Sequence, residues 1–98
     1  ELENGLHASL AETSLMMSLK PELVGDERPC EGIPKNKPKG WSLEGDAPTA
    51  WFTEDLSKSG VIGDSRGANL ELGNNLKKLL VDHWYEMIHG LMSSDWPR

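Results

Sequence analysis

One stretch constrains this chain more than any other. From about Arg66 to His89, Leu72, Leu76, Leu79, Leu80, Trp84, Met87 and Ile88 recur at steps of three and four, and Leu91 continues the series. That period sets the side chains along one side of a helix. The spacing predicts a final helix over 66–90, capped at its start by Asp64 or Ser65 and ended at Gly90. Its apolar stripe is wide, so the helix must cover it with something sizeable, and a sheet is the expected partner. The strand-like runs Trp51-Phe52-Thr53 and Gly60-Val61-Ile62 supply too little strand for that sheet. The missing partner is the main structural clue.

With 98 residues, the chain has material for one small domain. Ten Lys and Arg against 16 Asp and Glu give a formal charge of -6, which repels phosphate backbones and excludes general nucleic-acid binding. No apolar run approaches the ~20 residues of a membrane helix, and no basic-then-apolar signal segment opens the chain, so no membrane partner is expected. Cys30 is the one cysteine and has no internal disulfide partner. A reducing, cytoplasmic location is the default for such usage. The chain opens on Glu1 rather than Met, consistent with a processed piece, a truncation or a separate subunit.

Upstream of the long helix the texture changes twice. Leu10, Ala11, Leu15, Met16 and Leu19 share one side at helical spacing, Ser9 and Glu12 form an S-x-x-E capping box, and Pro21 ends the helix near Lys20 or restarts it as a new turn. Residues 25–48 then hold four Gly and four Pro without apolar periodicity, the signature of a long loop. Trp41, Ile33 and Leu43 are its sizeable apolar anchors.

Few residues offer chemistry. His7 and Glu12 are five positions apart, which on one helix would separate them by roughly 140°. They share a site only if His7 lies in the turn before the helix and Glu12 in its first turn, an arrangement that the turn signal Asn4-Gly5 and a Ser9 cap permit. A carboxylate can then fix an imidazole for proton transfer. The plain alternative, a capping Glu12 and a loop His7, is favoured by spacing alone. His83, Glu86 and His89 spread over about 120° of the last helix and read as surface residues rather than a chelate. The run from Ser59 to Gly67 lacks the endings of phosphate-binding loops and reads as a tight turn with an Asp cap. Cys30 has no nucleophile motif around it.

Two stretches narrow the choice. His7-Ala8-Ser9-Leu10-Ala11-Glu12-Thr13-Ser14-Leu15-Met16, followed by Lys20-Pro21-Glu22-Leu23-Val24, resembles the H-A-G-x-x-E-T-S-L-M … P-E-L-V signature of the creatininase family of amidohydrolases. Ser59-Gly60-Val61-Ile62-Gly63-Asp64 with Ala68-Asn69-Leu70-Glu71-Leu72-Gly73 is similar to the family's S-G-V-x-G-D-P-x-x-A-x-x-E-x-G segment, in the same order. The resemblance implies an α/β fold with a mostly parallel sheet flanked by helices. Residues 1–98 would form the C-terminal segment of one such domain, completed by a companion chain or a missing N-terminal half.

The same resemblance implies hydrolysis of a C–N bond in a cyclic amide, formamide or similar small amide. It brings a binuclear site of divalent ions (Zn, Mn or Fe), whose ligands lie in the N-terminal half and not in this chain, and oligomers that are often hexamers. Carried over, His7 becomes the proton-transfer histidine and Glu12 the supporting glutamate, which reverses the preference set by spacing. Ser9 replaces the family glycine of H-A-G and Ser65 replaces a proline. Glu3 stands where creatininase has a tryptophan near its substrate, which sets creatinine itself aside. A subunit of an amidohydrolase is the expected function. A non-catalytic subunit that keeps the fold, with Ser9 marking a decayed site, is the alternative.

Overall fold

A computed structural model describes residues 5–32, 35–36, 38–44 and 48–97. Glu3, Asn4 and Ile33, named above, lie outside the described residues. The elements run α1 (Leu10–Leu19), a 3₁₀ turn (Pro21–Leu23), β1 (Cys30–Glu31), α2 (Thr53–Leu56), β2 (Gly63–Asp64) and α3 (Leu70–Met92). Helix α1 ends where expected: Lys20 donates its N–H to Met16 O, and Pro21 opens the separate 3₁₀ turn. The paired strands are antiparallel, with Cys30 opposite Asp64 and Glu31 opposite Gly63. The mostly parallel sheet that the resemblance implies is not among the described residues.

Ile62 is the centre of the packing. It is fully buried, and Val61 beside it is 7% exposed. The strand around Ile62 pairs on both edges. On one side Leu6 and His7 donate to Ile62 O at 2.9 and 3.2 Å, and Ile62 donates to His7 O at 2.8 Å. On the other side Ser65 donates to Pro29 O at 3.1 Å, beyond the β1–β2 pair. Gly32 lies against this strand with φ +73°, and an added Cβ would come within 3.1 Å of Ile62 Cα. Both the left-handed backbone and the close approach call for glycine there.

Helix α3 leans on α1 through small residues. A Cβ built on Gly73 would stand 1.8 Å from Ser14 O, so the two backbones touch where Gly73 crosses Ser14. Ser14 is fully buried, and its hydroxyl accepts from Asn69 N–H at 3.0 Å. Ser18 and Asn74 meet at 2.6 Å one turn further on. Asn69 is the N-cap, its Oδ1 accepting from Leu72 N–H at 2.8 Å.

Four sequence expectations need correction. The final helix spans Leu70–Met92 rather than 66–90, because both proposed caps are engaged elsewhere. Asp64 binds Arg66, and Ser65 Oγ donates to Pro29 O at 2.7 Å. Gly90 lies inside the helix, which stops at Ser93. Trp51-Phe52-Thr53 is not strand: Asp55 accepts from Phe52 N–H at 3.0 Å and draws the next residues into the single-turn helix α2. Lastly, the expected loop over 25–48 contains the strand β1, which pairs with β2. Within this chain α3 meets α1, and the sheet expected beside the long helix is not among the described residues.

A clasp joins the end of β1 to the turn before Ile62. The Glu31 carboxylate accepts from Lys58 N–H at 2.7 Å and Ser59 N–H at 3.0 Å. The Lys58 amide first, then the hydroxyl and amide of Ser59, hold its pKa down at about 2.

Candidate active site

The candidate site grows out of the turn between the His7 bridge and α1. His7 ends the backbone pairing with Ile62, and Ser9 is the N-cap residue of α1, so Ala8 must reverse the chain between them. It does so with φ +50°, a left-handed conformation that alanine adopts at a cost of about 1 kcal/mol. Two contacts hold the strained peptide. Glu12 Oε2 accepts from Ala8 N–H at 2.7 Å, and Thr13 Oγ1 donates to Ala8 O at 2.9 Å. Strain of this kind persists only where the surroundings over-determine it.

The predicted capping box is therefore split between two tasks. Glu12 reaches back as a capping-box glutamate does, but to Ala8 rather than to the N-cap amide. The Ser9 side chain makes no cap hydrogen bond. Its hydroxyl meets β2 instead, accepting from Asp64 N–H at 3.2 Å and donating to Asp64 O at 3.3 Å. Ser9 has φ −83° and ψ −162°, an extended conformation open to any residue, so the family glycine is not required by the backbone.

The structure brings His7 and Glu12 to one turn in the arrangement their spacing required: His7 before the helix and Glu12 in its first turn. Both are exposed. Glu12 acts on the peptide that carries His7, and among the described residues the imidazole itself has no hydrogen-bond partner.

A cleft of about 260 Å³ opens beside the turn, lined by Glu12, Thr13, Met16, Arg28, Val61 and Ser65 among others. Sequence reasoning missed Arg28, whose Nη1 donates to Gly25 O at 2.5 Å and Glu27 O at 2.8 Å. It stands in the long loop with no motif around it, and only folding brings it to the cleft. Below the turn, the Arg66 guanidinium on Asp64 keeps that carboxyl well under its usual range and raises Arg66 in return. The pair is exposed and contributes little to stability.

The remaining candidates are scattered. His83, Glu86 and His89 are exposed on α3, and His89 stacks on Tyr85 with ring centroids 6.0 Å apart. Cys30 is an exposed free thiol. Among the described residues, no three His, Cys, Asp or Glu side chains gather as a metal site, so they do not fit a binuclear centre by themselves. Among the same residues, no helix is long and apolar enough to cross a membrane.

Residues 1–88 match the family model for creatinine amidohydrolase, which sets the His7 turn and the Ile62 segment within an amidohydrolase-like framework. The chain belongs to the creatininase family. No curated protein and no solved structure matches it.

Proposed function

We propose that this chain is a subunit or processed fragment of a metal-dependent amidohydrolase that cuts the C–N bond of a cyclic amide, formamide or similar small amide. The observation that carries the reading is the His7 turn: an exposed imidazole on a strained peptide that Glu12 and Thr13 hold in place. Amide hydrolysis needs a proton removed from water and another delivered to the departing nitrogen. A neutral imidazole can take the proton from water at a ring nitrogen and deliver it to the departing nitrogen, a contribution of typically 10²–10⁴-fold. Glu12 keeps the turn, and with it the ring, in place.

In this reading the zinc, manganese or iron ions belong to a companion part that carries the N-terminal half of the domain. One observation supports a companion: α3 leaves its apolar residues exposed from Leu79 onward. Further copies, up to a hexamer, and a cytoplasmic setting complete the proposal. The non-catalytic alternative took Ser9 as a mark of decay. Because Ser9 sits in unstrained backbone and ties the turn to β2, that argument loses its basis.

In the assembled protein, His7→Ala should lower kcat by about two to four orders of magnitude and leave metal content unchanged. Loss of metal would make His7 a ligand, and unchanged turnover would overturn the catalytic reading. Metal analysis of the chain, alone and with its companion, tests the division of labour.

A further inference from the structure

We infer that Ser9 is a positioning residue for His7, a role that rests on the proposed use of His7 and that the family glycine at this position cannot fill. The geometry comes from the alternation of a strand. Ile62 turns its N–H and C=O toward His7, Gly63 lies opposite Glu31 on the other edge, and Asp64 again faces the side of His7. Continued antiparallel pairing would bring Gly5 to Asp64. Instead the Ser9 hydroxyl occupies that edge, accepting from Asp64 N–H and donating to Asp64 O.

One hydroxyl thus stands in for a backbone partner, and it does so from a side chain only 3% exposed. The consequence falls on His7. Backbone pairing with Ile62 fixes the chain just before the left-handed Ala8, and the Ser9–Asp64 contact fixes it just after. Both anchors lie on the same short strand, two residues apart. With the hydroxyl removed, the anchor after Ala8 is lost, and among the described residues its strained backbone is left with the His7–Ile62 pairing before it and with Glu12 and Thr13, both on α1. The turn can then relax toward ordinary φ and swing His7 relative to β2.

The test uses the full chain in its assembly, with Ser9→Ala, Ser9→Gly and the hydroxyl-retaining Ser9→Thr. Hydrogen exchange at the Asp64 amide reads the anchor directly, and the imidazole NMR signals of His7 read its consequence. In Ser9→Ala and Ser9→Gly, Asp64 exchange should quicken about tenfold and the His7 signals should shift, with kcat falling and KM held. Ser9→Thr should restore all of them. If Ser9→Ala does not fold, Ser9→Gly carries the comparison, since the family sequence accepts glycine there. Faster Asp64 exchange with unmoved His7 signals makes Ser9 merely structural and overturns the inference, as does a Ser9→Gly protein that behaves like the parent. If the His7 signals shift but the parent turns over no amide, the positioning role stands and the enzymatic reading fails.

Discussion

The two ends of α3 are built on opposite rules. Its first two turns meet α1 through Gly73, Asn69 and Asn74 against Ser14 and Ser18, so this close crossing uses small and polar residues. From Lys78 onward every described residue is exposed, including Leu79 at 65%, Trp84 at 54% and Ile88 at 50%. There the side chains are large and apolar, and the interactions along this stretch include a Lys78–Asp82 ion pair, the Tyr85–His89 stack and the Ser93 hydroxyl donating to His89 O. Contact within the chain is thus set by how closely two backbones can come. The exposed apolar residues of the distal stretch are the surface on which the proposed companion would act.

The sharpest way to break this contrast is at the crossing. Gly73→Ala places a carbon 1.8 Å from a backbone oxygen that cannot rotate away, so the helices must separate. Overpacking of this kind costs about 3 kcal/mol or more, and hydrogen exchange across α1 should accelerate accordingly. A Gly73→Ala protein with unchanged protection would mean that the crossing is not close-packed.

Asn69→Ala should cost less, about 1 kcal/mol, because it removes a cap and leaves the crossing in place. Exchange at Leu72 N–H, its hydrogen-bond partner, is the probe, and an undisturbed Leu72 would remove the cap from the account. At the far end, Leu79→Gln with Ile88→Gln should alter the helicity of the chain alone by no more than about 0.5 kcal/mol, seen by circular dichroism. The same pair should weaken association with the proposed companion. A loss of chain stability as large as that of Gly73→Ala would show that the distal face already packs within the chain, and would erase the difference between the two ends.

Much of this was legible in the sequence, and the misses have two causes, one distant and one local. Pro21 marked the end of α1, and the three-and-four spacing marked α3, because both signals act within a turn or two of themselves. Spacing also showed how His7 and Glu12 could meet. What escaped was every case where a residue with a good local role had a better distant one. Ser9 looks like a cap and serves Asp64, 55 positions away. Ser65 looks like a helix start and binds Pro29 O, 36 positions back. With Asp64 held by Arg66, the start of α3 passes to Asn69. Phe52 and Trp51 suggested strand by composition, but Asp55 offered the chain a tighter local bond, and local capping overrode β propensity. The contact that α3 makes with α1 is invisible to hydrophobic pattern because serine and glycine make it.

The Glu31 clasp has a consequence for how this chain can vary in length. It fastens positions 27 apart at Lys58, so everything between forms a closed loop whose ends are fixed by one carboxylate on two amides. The entropy of such a closure grows only with the logarithm of loop length, and doubling it costs about 0.6 kcal/mol. With the Glu31 pKa held at about 2, the clasp's contribution is complete above the ordinary carboxylate range and fades only as pH falls toward 2. Insertions or deletions between Glu31 and Lys58 can thus accumulate at little thermodynamic cost, while the strand at Ile62 and the His7 turn paired with it stay where they are.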